Sequence, residues 1–337
     1  MDRRRASGAV VKVMLPIMLG GAILWWMYRG FDFAGVRRML TEEMDWTWMI
    51  ISFPFGILAQ ALRGWRWHQT LEPLGEKPRT SISVLSIFLS YASSLIIPRS
   101  GEFTRCGVLR RFDGISFPKS LGTVVAERVV DTITLAIVSG IVLMMEIREF
   151  SVFFDKTGTS MGSILGRFSP TGYMVTAICG LAALVLLHFL LRRLAFYDKV
   201  KATLSGIWQG ALSVLKVSNA WLFIALTLGI WACYFLHYYL TFFCFGFMED
   251  LGLGCALATF VIGSIAVVVP TPNGAGPWHF AVKTMLILYG VAEENALYFV
   301  LIVHAIQTLL VVALGIIAWI ALAFTRRLRP EEIKCKT

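Results

Sequence analysis

Of 337 residues, 57% are hydrophobic and only 15% charged, and the mean hydropathy is +0.71. A water-soluble domain of this composition would expose large apolar patches, and here the apolar residues are gathered into long runs; both facts exclude a soluble globular protein and point to a chain solvated by lipid. The formal charge of +10 therefore concerns which side of a bilayer the basic residues occupy, not nucleic acid.

Six runs are near or above the ~17 residues that a tilted crossing helix needs. The first is Val10–Tyr28, which no small-residue cleavage site follows, so a retained helix is expected. Trp46–Leu62 is the second. Ser81–Ile97 behaves differently, ending in Pro98-Arg99-Ser100-Gly101-Glu102 before a short limb, Phe103–Phe112. Leu121–Met145 and Gly172–Leu191 are the third and fourth spans. Tyr197–Val217 then mixes lysines with apolar residues three to four apart, the pattern of an amphipathic helix on the inner leaflet or of a basic linker. Ala220–Met248 is the fifth span. Leu253–Val269 again breaks, at Pro270-Thr271-Pro272-Asn273-Gly274-Ala275-Gly276-Pro277, before the limb Trp278–Tyr289. Ala296–Thr325 is the sixth span. Proline lacks an N–H and glycine a Cβ, so helices stop at both breaks. The two interrupted segments read as re-entrant hairpins. Trp25, Trp26, Trp46, Trp48, Trp65 and Trp67 read as interface anchors. Five cysteines, Cys106, Cys179, Cys233, Cys244 and Cys255, fall in or beside apolar runs and read as small apolar fillers.

The basic residues test this topology. With the N-terminus inside, six crossings and two non-crossing hairpins, 23 lysines and arginines fall on inside segments. Six (Arg29, Arg37, Arg38, Arg148, Lys156 and Arg167) fall outside, and Arg128 and Lys283 lie within membrane segments. That bias is the positive-inside pattern and places both termini in the cytoplasm, in the inner membrane. The expected fold is an all-α polytopic membrane protein, a single integral domain over 1–337. Segments 81–146 and 252–325 each read as a hairpin followed by a span. Arg128 and Asp131 stand 14 and 17 residues beyond Gly114, as His304 and Gln307 stand beyond Gly290. Entered from opposite sides, the two units form an inverted repeat, as in transporters with broken helices.

Charge inside the membrane marks the candidate site. Glu127 and Asp131, four apart, share a helix face, with Arg128 offset. Arg128 would hold an anionic group while the two carboxylates position it or exchange protons; the alternative is a structural ion-pair cluster. The returning limbs would present helix N-termini near the bilayer centre, favouring an anion, with Arg99, Arg105 and Lys283 close in sequence. Ser100 and Glu102 could equally be helix caps, and Arg105, Arg110 and Arg111 could snorkel to the inner surface. His279 and His304 could carry protons or bind headgroups, or simply pack.

At these residues the chain resembles the flippase-like membrane domain of lysylphosphatidylglycerol synthases. The resemblance rests on Pro98-Arg99-x-Gly101-Glu102-x-x-Arg105, on Glu127-Arg128-x-x-Asp131 and on Pro270-x-Pro272-x-Gly274-x-Gly276, in order along nearly the whole chain. It implies a multi-helix fold with re-entrant segments that moves lipid between leaflets. The synthases' soluble aminoacyl-transferase domain is not in this sequence, so lipid lysinylation is not implied. Where many relatives carry Glu after the glycines, this chain has Pro277-Trp278-His279.

The expected function is a lipid flippase without its own ATPase, binding an anionic or headgroup-modified lipid (a phospholipid, an aminoacyl lipid or a polyprenyl phosphate). Its substrate residues are Arg99, Glu102, Arg105, Glu127, Arg128, Asp131, Asn273, Gly274, Gly276, His279, Lys283 and His304. No catalytic, Walker or metal-ligand motif occurs, so no enzyme activity, cofactor or metal is expected. Two alternatives stand beside it: a non-transporting partner of an envelope glycosyltransferase, and an intramembrane lipid-modifying enzyme using Glu127 and Asp131. The oligomeric state is left open.

Overall fold

A computed structural model describes residues 18, 20–29, 31, 33–147, 152 and 197–326. The expected span Gly172–Leu191, with its Cys179, the start of the first span and the tail beyond Arg326 lie outside the described residues. Those described form helices joined by short turns, with an isolated antiparallel bridge between Met44 and Phe245.

In chain order, α1 covers residues 20–28, α2 Phe33–Arg38, α3 Trp46–Leu71 and α4 Thr80–Ile96. Next come α5 Gly101–Asp113, α6 Phe117–Met145 and α7 Tyr197–Leu212. The last four are α8 Ala220–Tyr239, α9 Gly252–Ala266, α10 Pro277–Leu288 and α11 Glu293–Phe324.

The ends follow local chemistry. Asp45 caps α3, accepting the Thr47 N–H at 2.8 Å, and Asn219 caps α8, accepting the Leu222 N–H at 3.0 Å. Proline occupies the first turn of α6 and of α10, where no N–H is needed. Gly114, at φ 72°, closes α5 in the left-handed conformation that glycine adopts freely. A span ending at Leu62 is expected from sequence, where Arg63 begins the charges. The helix instead runs on to Leu71 and stops only at Glu72-Pro73-Leu74-Gly75. This correction carries Arg63 and Arg66 out of a loop and into the packed interior.

Four stretches among the described residues are long and apolar enough to cross a membrane: Phe117–Met145, Ala220–Cys244, Gly246–Ala266 and Glu293–Phe324. The third contains α9, so length and composition allow that limb to cross as well. Helix α3, 26 residues and about 39 Å long, is not among the four, because its tryptophans and polar residues lower its hydropathy. The long helices are greasy on the outside. Ile133, Ile137 and Ile141 on α6, and Leu309, Ile316 and Trp319 on α11, are all exposed, the reverse of a water-soluble bundle.

Each break folds its two limbs back on one another. At the first, Arg79 before α4 donates from its backbone N–H to Asp113 at the end of α5 (2.7 Å), and Ser93 on α4 bonds Thr104 on α5 (3.0 Å). Ion pairing seals the open end, since Arg79 Nε also lies 2.7 Å from Asp113 Oδ1. At the second, Gly263 on α9 lies against Trp278 and Val282 on α10. One apolar core joins α3, α4, α5 and α6 around Trp67, Ile87, Leu109 and Val124. A larger one joins α8 to α11, where Tyr238, Phe242 and Phe245 surround Phe299 at ring distances of 5.4–6.2 Å. Trp67, expected as an interface anchor, belongs to the first core and is fully buried; Trp25, Trp26, Trp46, Trp48 and Trp65 are exposed.

Helix α7 packs along the N-terminal half of α6. Gly122 and Gly210 meet face to face, and a Cβ on Gly210 would collide with the Lys119 carbonyl, one on Gly122 with the Ile207 carbonyl. Small residues let the two backbones approach, the usual device for joining helices in lipid. Gly210→Leu is expected to separate α6 from α7 and cost about 1–3 kcal/mol, the usual range for overpacking. Gly107→Ala, which meets open space, is the control. Thermal unfolding of detergent-purified variants would check it: a clear fall for Gly210→Leu, little change for Gly107→Ala.

Candidate functional site

The helices α3, α5 and α6 meet around a buried ionic network. On α3, Arg63 and Arg66 are three apart and so share a face. That face meets the Glu127 and Asp131 face of α6. Arg63 Nη1 donates to Asp131 Oδ2 at 2.6 Å and Arg66 Nη2 to Asp131 Oδ1 at 2.7 Å. From α5, Arg105 Nη1 donates to Glu127 Oε2 at 2.7 Å, while Arg66 Nε lies 3.7 Å from Glu127 Oε1. The side chains of Arg66 and Glu127 are wholly excluded from solvent. Arg66 also donates to Thr227 on α8 (3.1 Å), and the Arg105 guanidinium sits 4.7 Å over the Trp67 ring. Burying charge in an apolar interior is costly, and here each carboxylate is shared between two guanidinium groups, which offsets that cost.

In front of this network lies a cavity of about 600 Å³, within the range of small-molecule sites. Both breaks wall it. Arg99, Gly101, Glu102 and Arg105 come from the first; Pro270, Thr271, Asn273 and Gly274 come from the second. Arg63, Arg128 and Asp131 complete its polar lining, and Ile87, Leu135, Val267 and Val268 its apolar part. Arg128 stands half-exposed, 3.0 Å from Glu102 Oε1 and 4.0 Å from Asp131 Oδ2. Arg99 adopts φ 63°, uncommon for a non-glycine residue, and its Nη2 donates to the Val268 carbonyl at 3.1 Å. That bond ties the first break directly to the second. Four residues that line the cavity each carry a buried polar atom with no hydrogen-bond partner among the described residues: Arg63 Nε, Arg105 Nη2, Trp231 Nε1 and Thr271 Oγ1.

The expected residues thus divide. Arg99, Glu102, Arg105, Arg128, Asp131, Asn273 and Gly274 converge on this cavity. Glu127 does not line it and stands behind, holding Arg105. His279 and His304 line a separate cavity of about 590 Å³ with Trp25, Tyr28 and Arg29; their rings are 4.4 Å apart. His304 Nε2 lies 3.1 Å from the Asn273 carbonyl, and Asn273 Nδ2 donates to Thr308 at 2.8 Å. Gly276, at φ 93°, packs against Gly20. Lys283 faces neither cavity; it pairs with Glu293 at 2.9 Å.

Three of the alternative readings fall. Glu102 is not a cap but the partner of Arg128. Ser100 makes no cap bond either; its hydroxyl donates to the Ser93 carbonyl at 2.9 Å. Arg105 does not snorkel: it is buried, whereas Arg110 and Arg111 are exposed. Arg63 and Arg66 are not marked by hydropathy, because they follow the apolar run that ends at Leu62. Their three-residue spacing, with no proline between Pro54 and Pro73, is the signal that marks them.

Against known proteins, the profile described as Lysylphosphatidylglycerol synthase TM region matches residues 13–315, a stretch containing both breaks and the whole ionic network. Glycosyltransferase AglD of Haloferax volcanii is 24% identical, with 82% of this chain and 49% of that protein covered. The chain therefore spans about half the length of the curated relative it matches. No solved structure matches the chain.

Asp131→Asn would leave Arg63 and Arg66 without their shared counter-charge. The expected loss is roughly 3–5 kcal/mol, as for other broken buried pairs. Arg38→Ala removes an exposed pair with Glu43 and is expected to cost less than about 1 kcal/mol. Comparing the two in detergent melts checks the network: equal, small effects would contradict it.

Proposed function

The chain belongs to the lysylphosphatidylglycerol synthase TM region family, and we propose that it is a lipid flippase of the inner membrane. In this reading it moves an anionic or headgroup-modified lipid between leaflets without an ATPase of its own. The observation that carries the proposal is the cavity where the two breaks meet, lined by Arg63, Arg99, Arg105 and Arg128 and bordered by apolar side chains. A headgroup would sit among the arginines while its chains lie along Ile87, Leu135, Val267 and Val268.

The topology of this reading is six crossings and two re-entrant hairpins, with both termini cytoplasmic. Pseudo-symmetry supports it. In each half the long helix reaches back to its own break: Arg128 of α6 to Glu102, His304 and Thr308 of α11 to Asn273. A left-handed residue stands at each break (Arg99, Asn273), and a left-handed glycine ends each returning limb (Gly114, Gly290). Helix α7, with Leu204, Trp208 and Leu212 exposed, would lie at the inner leaflet between the halves. Transport, not lipid chemistry, is favoured because Glu127 is sealed from the cavity and Asp131 is held by two arginines. A general base needs to reach the proton it removes.

A second reading, a membrane partner of an envelope glycosyltransferase, is favoured by the name of the Haloferax relative, which has about twice the length of the matched region. In that case the protein would co-purify with such an enzyme and move no lipid alone.

The deciding measurement is dye-quench detection of labelled lipid in proteoliposomes. Accelerated movement is expected, falling to the protein-free rate in Arg128→Ala. Loss of the Arg99 clasp in Arg99→Ala is expected to change the rate while leaving the melting temperature nearly unaltered. No acceleration with phospholipid, aminoacyl lipid or polyprenyl phosphate would refute transport.

A further inference from the structure

Charge around the cavity is unevenly matched. Among the described residues, four arginines and two carboxylates line it, leaving a surplus of two positive charges, and behind them Arg66 and Glu127 cancel. Both lining carboxylates are already engaged: Asp131 by Arg63 and Arg66, Glu102 by Arg128. Of the four unpartnered buried atoms named above, three can only donate, two on guanidinium groups and one on an indole, and the fourth, the Thr271 hydroxyl, can donate or accept. A cationic headgroup would find no spare acid here and would be repelled by the surplus.

We infer that this cavity selects a lipid ending in a phosphate monoester over a phosphodiester or an aminoacylated headgroup. The inference rests on the reading of the cavity as a headgroup site. A monoester carries about −1.5 to −2 charges near neutral pH and three strong acceptor oxygens. Its charge matches the surplus, and its oxygens suit donors that lack a partner. A phosphodiester such as phosphatidylglycerol brings one charge and two free oxygens, and an aminoacyl ester adds a positive group. Arginine's planar fork suits phosphate, and buried Arg105, held from behind by Glu127 and from below by Trp67, is preorganised to offer it. The apolar border formed by Val267 and Val268, both exposed, is what a lipid tail requires and a free phosphate ion does not.

The test uses full-length protein in phosphatidylcholine nanodiscs doped in turn with phosphatidic acid, phosphatidylglycerol or lysyl-phosphatidylglycerol. Native mass spectrometry counts the lipid retained on the protein. Phosphatidic acid is expected to be enriched roughly tenfold over phosphatidylglycerol, the effect of one further charge-assisted hydrogen bond, and lysyl-phosphatidylglycerol is expected not to be enriched. Arg105→Gln should abolish the enrichment; if that variant does not fold, half-exposed Arg128→Gln should weaken it. Glu102→Gln, which frees Arg128, should raise it. Equal retention of the two anionic lipids, or preferential retention of the aminoacyl lipid, would overturn the inference. So would displacement of phosphatidic acid by inorganic phosphate at equal concentration, the mark of a soluble-anion site. Because retention is read without transport, enrichment in a protein that moves no lipid would refute the flippase reading alone, whereas movement without enrichment would refute this one alone.

Discussion

Buried charge is the constraint around which this protein is arranged. Three arginines and two carboxylates lie in the interior where α3, α5 and α6 meet, and none can stay there ionised without the others. That requirement sets the rotation of each helix. Helix α3 turns Arg63 and Arg66 toward α6, α6 turns Glu127 and Asp131 toward α3, and α5 enters with Arg105 between Trp67 and Glu127. A helix rotated away from this arrangement would leave a charge unpaired, a penalty larger than an ordinary packing fault.

A second set of contacts places the helix breaks in their apolar surrounding. Backbone freed by proline and glycine needs hydrogen bonds, and in an apolar setting it is tolerated only against protein or a polar cavity. Here the first break lies against the second through Arg99 and Val268, and the second is held by Thr308 and His304. The left-handed conformations at Arg99 and Asn273 are maintained by these contacts. Between the breaks remains a polar space with more donors than acceptors, backed by rigid ion pairs and bordered by side chains suited to lipid.

Much of the fold was legible because lipid imposes a simple rule: long apolar runs become helices, and Pro-Gly clusters interrupt them. Helices α6 and α11 and both breaks follow from this within a few residues, as does the start of α8; the span expected to reach Met248 leaves the α-helix at Tyr239 and goes on in 3-10 turns. Where polar residues join a helix, the rule fails. A span ending at Leu62 gave way to a helix reaching Leu71, because Arg63 and Arg66 satisfy their charges by pairing across 65 to 68 residues of sequence. With these two and buried Arg105 withdrawn, twenty basic residues still fall on the inside segments against six outside, so the charge bias does not depend on them.

Composition and periodicity, which are local, determined by themselves that this is a helical membrane protein, where its helices break, and that Glu127, Arg128 and Asp131 form one group. Partnership is not local. Only the tertiary structure decided that Arg128 pairs with Glu102, that Glu127 is sealed behind Arg105, that Lys283 belongs with Glu293, and that the two histidines line a separate cavity. A charged side chain in a sequence states a need for a counter-charge. Which residue meets that need depends on which helix faces are brought together in space.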